Sequence, residues 1–301
     1  MMFNSSTNRL LPIISLSMLL TACGSDSSST GTGTLNLNIT DAPVDSAAKV
    51  VVTFSGVTIK PEEGSAFDID FVDDNGEPVV KSIDLLTQQG PNSEPLLIDQ
   101  ALDAGHYNWM RLKVTSGDTS MDSYIELDDG SQHPLYVPSG NQTGLKLNQG
   151  FDIADGGAIS FTIDFDLRRS VLSPNKNSEA YKLKPTLRII NNENVGHIMG
   201  MVGNESLTDE TCVKTDYAVY VFEGENIIPD DIDGVDAEPL TTALLSDAFK
   251  YSVGFLEAGT YTLAFTCQAK DDLTDTDEVI DFIGTDNVTV TAGATTTHDF
   301  N

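Results

Sequence analysis

The sequence predicts an all-β fold, two antiparallel β-sandwich domains carried behind an N-terminal leader and a flexible linker. Three observations predict it. Apolar and polar residues alternate with period two over many short stretches, most cleanly at Ile159–Asp166 (ISFTIDFD). Asn-Gly and Asp-Gly sequences, which suit the positive φ angles of tight hairpins, separate such stretches. No segment carries a long, convincing helical spacing of apolar residues.

Residues 1–22 read as a secretion signal. Arg9 and the amino terminus give a positive end, and Leu10–Leu20 form an apolar run too short to span a bilayer. Leu20-Thr21-Ala22-Cys23 resembles the lipobox of bacterial lipoproteins, which implies cleavage before Cys23 and acylation of that residue. Several acyl chains on one residue attach a protein stably, whereas a single chain is marginal. Gly24 rather than an aspartate follows, so in a Gram-negative host the resemblance implies sorting to the outer membrane, with its periplasmic or surface face left open. Residues 23–33 are the lipidated cysteine and a Ser/Gly/Thr linker. The ten residues of GSDSSSTGTG have no apolar side chain to bury and reach roughly 17 Å as a flexible coil.

Charge and cysteine content narrow the partners. The chain has 16 Lys and Arg against 46 Asp and Glu, a net charge of −30. That excludes nucleic acid as an expected partner, since nucleic-acid binding recruits basic surfaces. With Cys23 taken by lipid, Cys212 and Cys267 remain, and in an exported protein an even remainder predicts a disulfide between them. Forty per cent hydrophobic residues suffice for real cores.

The first domain is read over residues 34–191. Leu35-Asn36-Leu37-Asn38-Ile39 alternates as a half-buried strand, and Val50–Phe54 and Val57–Ile59 follow, with Gly56 between them as a bulge or bend. Asp73-Asp74-Asn75-Gly76 and Asp128-Asp129-Gly130 are turns. In Ile159–Asp166, Ile159, Phe161, Ile163 and Phe165 face one way, and Ser160, Thr162, Asp164 and Asp166 the other. Short helical turns are expected near Leu85 or Leu96. Gly33-Thr34-Leu35 leading to Thr40-Asp41-Ala42-Pro43, Val50–Phe54, Leu102–Tyr107 with Arg111-Leu112, Asp164-Phe165-Asp166 with Arg169-Ser170-Val171, and Tyr181–Pro185 together resemble a bacterial lipoprotein family known as domain of unknown function 4382. The resemblance covers about residues 32–190 and implies a β-rich envelope module without an assigned activity.

A second domain is read over residues 195–301, after the polar Asn191-Asn192-Glu193-Asn194. Tyr217–Phe222, Lys250–Val253, Thr260–Cys267 and Asn287–Thr291 read as strands, and a last short strand ends at Phe300. Leu256–Tyr261 with a closing Val-Thr-Val-Thr-Ala-Gly turn is similar to the small transthyretin-like or carboxypeptidase-regulatory-like sandwiches. The same segment echoes the first domain, for Leu102-Asp103-Ala104-Gly105-His106-Tyr107 parallels Leu256-Glu257-Ala258-Gly259-Thr260-Tyr261.

Catalytic patterns are sparse. There is no G-x-S-x-G elbow, H-E-x-x-H, phosphate loop or C-x-x-C, and none of His106, His133, His197 and His298 has metal-ligand spacing with another. Two acidic runs are candidate calcium loops, because calcium takes six to eight oxygen ligands on flexible loops. One contains Asp231, Asp233, Asp236 and Glu238 around Gly234, and the other contains Asp271, Asp272, Asp275, Asp277, Glu278 and Asp281. Solvated acidic loops are the blander reading and carry more weight. Tyr107, Trp109, Arg111 and Lys113 share one strand face by parity, opposite Met110, Leu112 and Val114, which makes Tyr107, Trp109 and Arg111 a candidate glycan- or protein-binding surface. The echo points the other way, since Tyr261, Leu263, Phe265 and Cys267 look like core, and it favours burial of Trp109. The expectation is therefore a lipid-anchored, non-catalytic binding, adhesion or structural module that meets a glycan or an envelope protein. The alternatives are calcium-dependent binding and an accessory subunit or unrecognised hydrolase.

Overall fold

The computed structural model describes residues 1–2, 31–42, 47–138, 140, 144–174, 178–210, 212–273 and 276–301. Cys23, the leader beyond Met2, the linker before Gly31, and Asp275 of the second acidic run lie outside the described residues. The fold is β throughout. In chain order the first fourteen strands are β1 (Thr32–Ala42), β2 (Ala47–Pro61), β3 (Phe67–Asp70), β4 (Lys81–Asp84), β5 (Glu94–Asp103), β6 (Gly105–Thr115), β7 (Tyr124–Leu127), β8 (Gln132–Tyr136), β9 (Leu145–Leu147), β10 (Phe151–Ile153), β11 (Ala158–Asp166), β12 (Val171–Leu172), β13 (Tyr181–Leu183) and β14 (Leu187–Asn191). The remaining seven are β15 (Val195–Met201), β16 (Ala218–Glu223), β17 (Thr241–Leu244), β18 (Lys250–Glu257), β19 (Gly259–Thr266), β20 (Phe282–Val290) and β21 (Thr295–Thr297).

The first sandwich packs a sheet ordered β14-β11-β1-β5 against a larger one ordered β10-β6-β2-β7-β8-β13-β12, with β3 and β4 on β2 and β9 on β6. Alternation supplies its core. Leu35, Leu37 and Ile39 of β1 and Phe161, Ile163 and Phe165 of β11 meet Val52, Phe54, Val57 and Ile59 of β2 and Met110 and Leu112 of β6, all buried. The two expected strands around Gly56 are one bent strand, β2, whose register against β6 shifts between Phe54 and Gly56. The bulge lets a fifteen-residue strand curl across the core. A 3-10 turn forms at Leu85–Thr87, capped by Asp84. Leu96 sits in β5 instead, where its side chain is buried against the core and strand pairing outweighs local helical preference.

The second sandwich packs β18-β15-β21 against β17-β16-β19-β20. Ile198, Val253 and Leu256 meet Val219, Val221, Leu263 and Phe265 in a separate core. Cys212 and Cys267 form a disulfide across 55 residues of chain. The other face of β16 is buried too, because Ala218, Tyr220 and Phe222 pack with Ile232 and Ala269 from the two acidic segments. This accounts for the unbroken apolar run of β16.

The two sandwiches repeat one plan. Tyr107 and Tyr261 each donate a hydroxyl hydrogen bond to the carbonyl four residues upstream, of Asp103 and Glu257 respectively, at 2.8 Å in both. The Ala104 amide donates to Gly31 and the Ala258 amide to Asn194, tying each echo turn to the start of the first strand of its sandwich. Those first strands, β1 and β15, each lie antiparallel to the strand before the turn and parallel to the last strand of the echo, β11 and β21. Thr34 donates to Gly157 and His197 to Ala294, both at 2.9 Å, across matching Ala-Asp-Gly-Gly and Thr-Ala-Gly-Ala turns. Gly156 and Gly293 hold φ of +66° and +71° there, a conformation in which a side chain would be strained.

Both faces of β11 are covered at its centre. Thr162 and Asp164, on the polar face, are buried, and Asp164 borders a small gap shared with Thr241, Thr242 and Phe255 of the second sandwich. Asp164 is paired across strands with Arg188, whose Nε donates to it at 3.0 Å. Desolvation nevertheless pushes the Asp164 carboxyl above its usual range.

Candidate functional site

The residues with chemistry to offer fall into three places. The first joins the two sandwiches. A single helical turn, α1 (Leu167–Ser170), follows β11, and the Asp166 side chain caps it by accepting from the Arg169 amide. The turn aims Arg168 and Arg169 at the second sandwich. Arg168, 6% exposed, donates to the carbonyl of Ala269, lies 3.6 Å from the Asp272 carboxylate and sits 5.3 Å from the centre of the Tyr220 ring. Asp272 also accepts from the Tyr220 hydroxyl and, at 3.0 Å, from the Ile232 amide. Burial drives the Tyr220 hydroxyl well above its ordinary pKa, so it stays a donor. Beside this, Arg169 pairs with Glu238 and donates to the Pro239 carbonyl at 2.9 Å.

The acidic runs thus converge, and much of their hydrogen-bonding capacity is engaged. Asp231, Asp272 and Glu278 bring carboxylate oxygens within 4.8 Å of one another, and so do Asp231, Asp233 and Asp277. Asp231 is buried and accepts from the Glu278 amide at 2.8 Å. Glu238 accepts from the Asp233 and Gly234 amides as well as from Arg169, and Asp233 accepts from Val235. Asp236 is exposed at φ +52° in the turn between them. Asp271 pairs with Lys214, outside the convergence.

The second place is an open cleft of about 520 Å³ between the β2–β3 and β5–β6 turns, lined by Glu62, Glu63, Phe67, Asp103, His106 and Tyr107 among others. Among the described residues its lining contains no serine, threonine, cysteine or lysine. His106 Nδ1 lies 2.9 Å from Asp152. The other histidines serve locally. His197 accepts the Phe255 amide at 3.2 Å, and burial holds its pKa below the ordinary value. His298 lies 3.3 Å from Asp286, and His133 lies 3.2 Å from the Ser131 hydroxyl.

The third place is the outer face of β6, where the parity reading needs correction. Register against β2 shifts between Lys60 and Pro61, so Asn108 is an extra residue and Tyr107 turns inward. Tyr107 is buried and stacks on Phe151 at 5.1 Å, off the face that it was expected to share. Trp109, Arg111 and Lys113 remain outside, each partly exposed, opposite buried Met110, Leu112 and Val114. The extra residue also explains why the echo misled. Leu263 and Phe265 are core, whereas Trp109 is not. The Arg111 guanidinium stacks 4.2 Å from the Trp109 ring centre, and Lys146 on β9 lies 5.8 Å from it.

Fold and sites together define a tandem of β-sandwiches with an embedded inter-sandwich clamp. Residues 32–185 match the family described as Domain of unknown function (DUF4382), and the chain belongs to that family. A comparison with curated proteins finds no match. Among solved structures, the Bacillus anthracis TIE protein is 10% identical at a TM-score of 0.21, with 89% of this chain aligned to 33% of that one. The chain thus spans about a third of its length. GBS52, the minor pilin of Streptococcus agalactiae, is 9% identical at 0.21, over 88% of this chain and 94% of that one. The shaft pilin SpaA of Lactobacillus rhamnosus GG, in a double-mutant form, is 9% identical at 0.22, over 90% and 98%. Superpositions this poor define no shared fold.

The sequence reading missed Arg168, Tyr220 and Lys146. A doubled arginine at the end of an apolar strand was the available signal for the first. Nothing local distinguishes Lys146, whose position depends on β9 pairing with β6.

Proposed function

We propose that this protein is a lipid-anchored, non-catalytic binding and presentation module of the outer membrane, attached through Cys23. The observation that carries the reading is the clamp. Arg168 and Arg169 of the first sandwich enter the acidic segments of the second, so carboxylates that could serve chemistry instead hold two sandwiches together. Cells lacking the chain provide the test, complemented with the wild-type chain or Cys23→Ser and assayed for membrane fractionation and attachment to glycan-coated surfaces. The wild-type chain should fractionate with the outer membrane and restore attachment, and Cys23→Ser should do neither. Full membrane retention of Cys23→Ser overturns the anchor. Turnover of glycoside or ester substrates by the purified chain overturns the non-catalytic reading.

A calcium-dependent form of the same reading is favoured by one observation, the meeting of two acidic runs about 40 residues apart at Asp231, Asp272 and Glu278. Oxygen donors at that spacing suit a hard divalent cation. A melting-temperature rise in calcium that magnesium does not reproduce, lost in Asp231→Asn with Glu278→Gln, supports it. Equal effects of the two ions reject it.

A further inference from the structure

In a chain of net charge −30, the surroundings of the single tryptophan are basic. Arg111 and Lys146 are direct cross-strand partners on β6 and β9, and Lys60 is the direct partner of Trp109 on β2. Like charges placed opposite one another across a strand pair repel and weaken the sheet. Among the described residues neither Arg111 nor Lys146 has a carboxylate within salt-bridge distance, although acids outnumber bases nearly three to one. The contrast with the next position is direct. Lys113, two residues along the same face, is held by Asp68 at 3.0 Å and Asp70 at 2.6 Å. The Nε of Arg111 is buried without a hydrogen-bond partner. An unopposed cation pair beside an indole is costly in the free protein and is relieved by an anion.

We propose that Trp109, Arg111 and Lys146 form a binding platform for an acidic polysaccharide, a chain of carboxylated or sulfated sugars. This rests on the binding-module reading and names its ligand class. A pyranose ring has an apolar face that packs on an aromatic plane, and its carboxylate or sulfate matches the fork of a guanidinium. Charge also selects the shape of the ligand. Beyond about 8 Å at physiological salt, other charges are largely screened, so a chain one sugar wide crossing at Trp109, Arg111 and Lys146 feels chiefly those cations. A membrane surface or nucleic-acid duplex is broad and brings the acidic loops within range.

Trp109 reports on its own site, because no other tryptophan contributes emission. The full chain, kept in detergent, is titrated with polygalacturonate, dextran sulfate, neutral dextran and phosphatidylglycerol vesicles while tryptophan fluorescence is followed. The expected result is a saturable change with polygalacturonate or dextran sulfate that weakens as salt rises and is absent with neutral dextran. Arg111→Gln with Lys146→Gln should weaken binding at least tenfold while leaving the melting temperature unchanged or higher, since a repulsive pair is removed. Lys182→Gln, remote in the first sandwich, should bind as the wild-type chain does. No saturable change with either polyanion, or unaltered binding by the double variant, overturns the platform. A stronger response to vesicles than to either polysaccharide overturns it in favour of a lipid surface. In each of these cases the attachment assay still reports separately on the binding-module reading.

Discussion

The guanidinium of Arg168 lies 5.3 Å from the ring centre of Tyr220, a residue of the other sandwich that is completely buried. Asp272 and the Ala269 carbonyl share the charge in that position. Removing the arginine leaves Asp272 buried without its cation. Arg168→Met should therefore lower stability by about 3–5 kcal/mol, the usual cost of breaking a buried pair from one side. Urea denaturation measures it. The companion change Arg168→Met with Asp272→Asn should recover part of the loss, and no recovery would mean that the two do not act as a pair.

The disulfide between Cys212 and Cys267 closes a loop that holds β16, β17, β18 and β19. Chain entropy assigns a loop of that length a stabilisation of about 4 kcal/mol. Replacing both cysteines with serine should lower the urea midpoint accordingly, and adding reductant to the wild-type chain should have a comparable effect. A variant as stable as the oxidised protein would contradict the assignment.

Tyr107→Phe and Tyr261→Phe remove one hydroxyl hydrogen bond each from equivalent corners. Each should cost about 1 kcal/mol. The two hydroxyls anchor separate sandwiches, so the losses should add in the double variant. A markedly unequal pair of losses in thermal or urea melts would show that the corners, though alike in geometry, carry different loads.

Burial raises the folded-state pKa of Asp164, with Arg188 opposing the shift. The folded chain therefore takes up this proton before the unfolded chain does. Its contribution to stability is fully present below the usual 3.8 and is lost as pH rises through the higher folded value. Comparing wild-type with Asp164→Asn by urea melts, the difference should move in favour of the wild type as pH falls from 7 towards 4. Movement the other way would mean that Arg188 outweighs desolvation.

Strand content was readable because a half-buried strand writes its period into the sequence. The echo at Leu102–Tyr107 and Leu256–Tyr261 held a repeated corner, visible because glycine and tyrosine are both needed to make it. For β11 the period had a limit of a different kind. Alternation distinguishes the two sides of a strand but cannot tell whether Thr162 and Asp164 meet water or a second domain. Trp109 was misjudged through one inserted residue, since Asn108 reverses parity and period two has no memory across a bulge. The clamp was the least legible, because Arg168 and Asp272 are 104 residues apart and only the packing of separate sandwiches joins them.

In each sandwich the opening strand is pinned between neighbours made much later, β1 by β5 and β11, and β15 by β18 and β21. A chain emerging from its N-terminus cannot close the first sandwich before Asp166 has appeared, nor the second before Thr297. Such distant pairings form slowly. Each sandwich therefore closes late in the synthesis of its own segment, the first only after Asp166 and the second only after Thr297.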